Sequence, residues 1–325
     1  MKDKKENLEP EVKSLIKTAV TRRNVLAGAG AVSGAAFLAA CGSGGGTKVD
    51  AKTVRWGNWT LYLDYDSKTK KYPTLEKFKK ESGINVAYLE DYNDNDEFWG
   101  KVQGQLKLKK DIGYDLVCPT DWMAARWIRL GYAKELNYDN IPNGKNILPS
   151  LKNVAFDPGR KNSLTWQGIM GGFTWNKEKI PGGIKTMDQL FAPANKGKIE
   201  VLSEMRDTIG IIMMWQGVDI SSNFTEAQFM NAVDFLAKKI KDGYIRQIKG
   251  QSYQEDMISG DAVAVIGWSG DVNQLNLQNG NKFAFRVPES GGTFSTDCML
   301  IPSTSKNKKA AEAVINYYYD PLVAA

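Results

Sequence analysis

The chain has 325 residues, with 43 Lys and Arg against 37 Asp and Glu for a formal net charge of +6, and it contains no histidine. A balance that even is no nucleic-acid footprint, and the missing histidine removes the commonest general base, the Ser-His and Cys-His nucleophile pairs and the commonest metal ligand together. With only Cys41, Cys118 and Cys298, a thiolate zinc site is also disfavoured, so no catalytic centre, metal or cofactor is expected.

Residues 1–20 are polar and mixed in charge. Thr21-Arg22-Arg23-Asn24-Val25-Leu26 then opens a small apolar run from Ala27 to Ala40, which is too short to span a bilayer stably and ends in Leu38-Ala39-Ala40-Cys41. Paired arginines before a weakly hydrophobic Gly/Ala stretch resemble a twin-arginine export signal, and Leu-Ala-Ala-Cys resembles a lipobox, whose cysteine is acylated after cleavage. The expectation is a leader over 1–40, then a lipidated Cys41 and a Gly/Ser tether over 41–51. That address is the periplasm or the outer face of the cytoplasmic membrane. A short anchor helix or an Ala/Gly tail is the plain alternative, though neither would require Cys41 at that spot. The remaining chain is long enough for two core-forming lobes and too long for one comfortable core.

From there strands and helices alternate. Val54 to Trp59 reads as a strand running into a turn, Pro73 to Glu81 as a helix, and Ile84 to Leu89 as a second strand after the helix-ending Gly83. Phe98, Val102 and Leu106 recur at helical intervals, Tyr114 to Cys118 is a buried strand, and Trp122 to Leu130 starts another helix. The pattern predicts an α/β fold with a parallel, doubly wound sheet, whose ligands bind beyond the carboxyl ends of the strands, here Gly57 to Tyr62 and Pro119 to Trp122. A second set follows: strand Lys198 to Leu202, helices Thr208 to Gly217, Thr225 to Asp242 and Tyr253 to Ser259, and strand Ala262 to Trp268. Phe283 to Pro288 and Asp297 to Pro302 read as two further strands across a Gly291-Gly292 turn.

Ordered signatures at these loops are similar to the periplasmic spermidine/putrescine-binding proteins: Asn58-Trp59-Thr60-Leu61-Tyr62, Tyr114 to Thr120, Ile266-Gly267-Trp268-Ser269-Gly270, and Pro288 to Phe294 followed by Asp297 and Ile301-Pro302. Each is weak alone; their order and spacing give the resemblance its weight, from about Val54 to the last residue. It implies a two-lobed, type II periplasmic-binding-protein-like fold with the ligand cleft between lobes joined by crossing strands. One lobe would comprise 52–165 plus 295–325, the other 166–294. It further implies a monomeric, non-enzymatic component of an ABC importer that hands a polyamine to a membrane permease. Polyamines need carboxylates for their ammonium groups and aromatic faces for methylenes and adjoining cations. By position in the matching motifs, Trp59, Tyr62, Trp122 and Trp268 resemble the aromatic walls, Thr60 and Thr120 the hydroxyl contacts, and Glu204, Asp207 and Asp297 the counter-charges. The chain departs from the family in three ways. Ser295 stands where a tryptophan is usual, the Glu204/Asp207 lengths are reversed, and family members continue past Ala325, so the carboxyl end reads as truncated.

Each assignment has a plainer competitor. The acid pair beside Arg206 could be a helix N-terminal cluster with Asp207 as N-cap, and Trp59 and Trp268 could be core residues. Asp297 opens an otherwise apolar strand, so its carboxylate must sit at the cleft edge or be paired. Tyr317 to Tyr319 and Lys306 to Lys309 read as a packing face and a solvated face. Sugar- or ferric-ion-binding relatives, or a glycosidase using Glu204 and Asp207, are the competing functions. Cys118 and Cys298 fall on strands expected to be neighbours; free buried thiols are the expectation and a disulfide the alternative.

Overall fold

The computed structural model describes residues 53–324; the expected leader and Cys41 lie outside the described residues. Strands β1 (Thr53–Trp59), β2 (Asn85–Tyr92) and the two-residue β3 (Leu116–Val117) pair in parallel in the order β2-β1-β3. Helices α1 (Pro73–Ser82) and α2 (Asn95–Lys107) lie in the crossovers. Pro73 starts α1, and Gly83, at φ 71°, ends it in the left-handed conformation that glycine adopts without strain. Asp94 starts α2 by accepting the amides of Asp96 and Glu97, which satisfies two donors that a helix start leaves open. Helix α3 (Asp121–Arg129) follows β3.

The centre of the sheet departs from the parallel expectation. Strand β4 (Ser163–Asn176) changes partners along its length. Ser163 to Gly171 pairs antiparallel with β9 (Thr293–Leu300), whereas Gly171 to Trp175 pairs antiparallel with β7 (Ala264–Trp268). Beyond it β5 (Ile199–Leu202) and β6 (Ile245–Lys249) run parallel to each other, and β5 runs parallel to β7. The order is β2-β1-β3-β9-β4-β7-β5-β6, with β8 (Phe283–Arg286) also on β4. Thus the two strands flanking Gly291-Gly292 pair with β4 and not with each other. The turn is seated against that strand, since a Cβ on Gly292 would come 2.5 Å from the Gly171 carbonyl oxygen. The remaining longer helices are α4 (Met205–Trp215), α5 (Glu226–Lys241), α6 (Tyr253–Ser259), α7 (Ser269–Asn279) and α8 (Lys308–Tyr318).

Buried apolar side chains form separate clusters. One draws on residues between Val54 and Leu164 and between Cys298 and Tyr318. The others draw on Phe173 to Ile266 and on Leu202 to Phe283. Strands β4 and β9 run from the first cluster towards the others. Cys118 and Cys298 are free and buried in the first. The Trp56 indole donates to Cys118 Sγ at 3.2 Å and the Arg160 guanidinium to Cys298 Sγ at 3.7 Å, and burial pushes the Cys118 thiol well above its ordinary range and Cys298 up to about 12. Both therefore stay protonated and inert at neutral pH.

Candidate ligand cleft

Parallel neighbours end together, so β1 and β3 release their following loops side by side. β1 ends on Trp59 and its loop carries Thr60 and Tyr62, while the β3 loop carries Thr120 and leads into α3 with Trp122. Facing them, β5 leads into α4 with Glu204 and Asp207, and β7 ends on Trp268. Between the two groups lies a cavity of about 1150 Å³. All eight of these residues line it; Asp297, the ninth candidate, does not.

Asp297 lies inside β9 and is fully buried. Its carboxylate accepts the Tyr62 hydroxyl at 2.6 Å and the Thr120 hydroxyl at 2.8 Å, so its charge reaches the cavity through two hydroxyl groups. Burial pushes it up to about 7 despite those two bonds. Glu204 is the residue before α4 and caps nothing with its side chain; it accepts the Asn95 amide at 3.2 Å. Burial, then the nearby charges of Asp207 and Asp94, push it up to about 8. The plainer reading of Asp207 as N-cap therefore does not hold. Asp207 sits in the first turn of α4 and accepts the Trp268 indole N–H at 2.7 Å together with the Thr293 hydroxyl. Burial raises its pKa, and those two bonds oppose the rise. Glycine at 171 makes this arrangement possible, because a Cβ there would collide with Thr293 Oγ1 and come 3.0 Å from Asp207 Oδ1.

Trp59 is 3% exposed and its indole donates to the Cys118 carbonyl at 2.8 Å, so it is both a core residue and a wall. Its ring centre lies 6.4 Å from Tyr62 and 5.9 Å from Trp268, which makes one aromatic group beside the acids. Trp122 stands apart from that group. The Arg206 guanidinium stacks on it, Cζ 3.9 Å from the ring centre, and Arg126 lies 5.4 Å from the same centre. Trp122 thus lines the cavity as a wall whose aromatic face already carries protein cations.

Four cleft residues were not picked out by the sequence. Asn95 holds the Thr120 amide and hydroxyl at 3.0 and 2.8 Å. Gln251 exchanges two 3.0 Å hydrogen bonds with the Thr60 backbone. Asp271 accepts Tyr253 Oη at 2.8 Å and Gln251 Nε2 at 3.3 Å, and burial pushes it up to about 6. Thr293 is the donor to Asp207 already described. Of these, Thr293 lies inside the Pro288 to Phe294 signature and Asp271 is an acid one residue beyond the Ile266 to Gly270 signature, whereas Asn95 and Gln251 had no signal. At one edge the two sides touch directly: Gln251 N donates to the Asn93 carbonyl at 2.8 Å and Ser252 N to the Asn93 side chain at 2.9 Å. Among the described residues, no group of three or more His, Cys, Asp or Glu is placed to hold a metal ion, and no helix is long and apolar enough to cross a membrane.

An aromatic, acid-lined cavity between the carboxyl ends of two strand sets is the architecture of a solute-binding protein. The chain belongs to the family described as bacterial extracellular solute-binding protein, which matches residues 74–325. It is 28% identical over 314 residues to the putrescine-binding periplasmic protein PotF of Escherichia coli (strain K12), covering 91% of this chain and 80% of that protein. It is 27% identical over 276 residues to the spermidine/putrescine-binding periplasmic protein of the same organism, covering 85% and 75%. Among solved structures, the spermidine/putrescine ABC transporter substrate-binding protein PotD from Streptococcus pneumoniae matches with a TM-score of 0.65 and 25% identity over 84% of this chain and 79% of that one. A Treponema pallidum lipoprotein, Tp0655 (TpPotD), gives a TM-score of 0.70 at 21% identity over 84% and 82%. The periplasmic-binding-protein fold is thereby shown.

Proposed function

We propose that this protein is the extracytoplasmic solute-binding component of an ABC importer, and that its ligand is a polyamine of the putrescine/spermidine class. The observation behind this reading is the set of four carboxylates, Glu204, Asp207, Asp271 and Asp297, that burial pushes towards the neutral form around the Trp59, Tyr62 and Trp268 rings. An organic cation restores their charged form by charge-assisted hydrogen bonds, while its methylenes lie on the rings. A neutral sugar would leave the carboxylates without a counter-charge. The polyamine names of the relatives support the same ligand class. The lobes we propose are 52–165 with 295–325 and 166–294, joined by β4 and β9; the separate apolar clusters support that division. Closure of the two lobes over the ligand would present one docking geometry to the permease. The export signal, acylation at Cys41, an address in the periplasm or on the outer face of the cytoplasmic membrane, and a monomeric state complete the proposal. A thermal-shift panel of putrescine, spermidine, maltose and ferric citrate tests it, since a ligand that binds only the folded state raises Tm by mass action. Stabilisation by the polyamines alone is expected; stabilisation by maltose or ferric citrate alone would sink the ligand class.

A further inference from the structure

Neither volume nor acid count decides which polyamine fits. The cavity, at about 1150 Å³, exceeds the usual range of roughly 300–1,000 Å³ for small-molecule sites, and four carboxylates would accommodate a triamine as readily as a diamine. The aromatic rings differ in a way that does discriminate. Trp59, Tyr62 and Trp268 face the cavity as a group, their neighbouring ring centres 5.9 and 6.4 Å apart. Trp122, on the same cavity wall, has the Arg206 guanidinium 3.9 Å above its centre and Arg126 at 5.4 Å. Arg206 comes from α4, two residues beyond Glu204 and next to Asp207, and is the one Lys or Arg side chain on the wall among the described residues.

We infer that Arg206, stacked on Trp122, occupies the cation seat at the Glu204 end of the cleft and limits the ligand to two ammonium groups, so that the protein selects a diamine over a triamine. This rests on the polyamine reading above and extends it to specificity. A guanidinium is charged at every accessible pH and keeps its planar stack. A third ligand ammonium approaching Trp122 would meet the like charge of Arg206, or would have to displace the stack. A diamine held between the Trp59, Tyr62 and Trp268 group and the acids leaves Arg206 undisturbed. Discrimination by a repulsive element is a general route to specificity. Ser295, which also lines the cavity, presents no aromatic face and so adds no further place for a cation to stack.

Isothermal titration of the wild type, Arg206→Gln and Arg206→Lys with putrescine and spermidine tests the inference. The wild type is expected to favour putrescine. Arg206→Gln should raise spermidine affinity relative to putrescine by about fivefold or more, the scale of one cation–π contact. Arg206→Lys, which keeps the charge, should keep the preference. An arginine with only a structural role would lower Tm and weaken both ligands in proportion, leaving the ratio where it was. An unmoved ratio in Arg206→Gln, or a wild type that favours spermidine, overturns the inference and leaves the polyamine reading standing. If neither amine gives heat with the wild type, both fall together.

Discussion

Asp297 accepts two hydroxyl donors while fully buried, without a cation among its hydrogen-bond partners. Its folded pKa, raised to about 7, lies above the unfolded value of roughly 3.9. The sign follows: its contribution to stability is fully present below about pH 4 and is lost as pH rises towards 7. Asp297→Asn removes that loss. In ligand-free melts from pH 5 to 8 the variant should show a shallower decline in Tm than the wild type, because an amide can serve both hydroxyl groups without becoming charged. The same variant should weaken polyamine binding by about 1–3 kcal/mol, since the Asp297 charge reaches the ligand only through the Tyr62 and Thr120 hydroxyl groups. A steeper decline, or unchanged affinity by titration, would reject the role assigned to Asp297. At this scale the sequence was most legible where a residue ends a strand, as Trp59 and Trp268 do, because these strand ends face the cavity. Asn95 and Gln251 could not be read that way. They act by holding Thr120 and the Thr60 backbone, and such contacts between distant segments leave no local pattern.

Among the elements, β4 was hidden from the sequence. Its run, Ser163-Leu164-Thr165-Trp166-Gln167-Gly168-Ile169-Met170-Gly171-Gly172-Phe173, is interrupted by glycines that ordinarily mark turns. The structure gives the reason. At 171 the space a side chain would take is filled by Thr293 and Asp207, and at 172 by the Arg286 carbonyl oxygen 2.5 Å away, so the strand keeps its extended course because it lacks side chains there. Helix α7 was hidden differently, since its Asn- and Gln-rich sequence buries only Asp271, Val272 and Leu275 and gives little helical periodicity. By contrast α6 matches its expected bounds of Tyr253 and Ser259. A third glycine tests the edge where the two sides of the cleft touch. The loop between β6 and α6 brings Gly250 so close to Asn93 that a Cβ would collide with the Asn93 carbonyl oxygen. Gly250→Ala should part that edge and reduce the population of the closed form. Apparent affinity should then fall in proportion to the closed fraction, by about tenfold for a closed population cut to a tenth. Titration with putrescine checks this; unchanged affinity would show that the edge contact does not support closure.

For the molecule as a whole, the raised carboxylate pKa values predict that protons are coupled to closure of the proposed lobes. Glu204 and Asp297 are pushed up to about 8 and about 7, in each case chiefly by burial, in a cleft whose two sides are in contact. When the lobes proposed above separate, water returns to the cleft and carboxylates fall back towards their ordinary range of roughly 4. The closed form therefore binds protons more tightly than the open one, and by linkage acid favours closure. Above about pH 8 the ligand-free closed form would hold ionised carboxylates in a cavity whose wall has Arg206 as its one Lys or Arg among the described residues, so opening is favoured. A bound dication changes the balance, because its ammonium groups hold the carboxylates ionised inside the closed cleft. Small-angle scattering is expected to show the ligand-free radius of gyration decreasing as pH falls from 8.5 to 5.5, and saturating putrescine should hold it at the compact value across that range. Affinity should weaken below about pH 7, where binding must first release protons, and the titration heat should then depend on the ionisation enthalpy of the buffer. A ligand-free radius independent of pH, or one that grows on acidification, would show that the buried carboxylates do not govern closure.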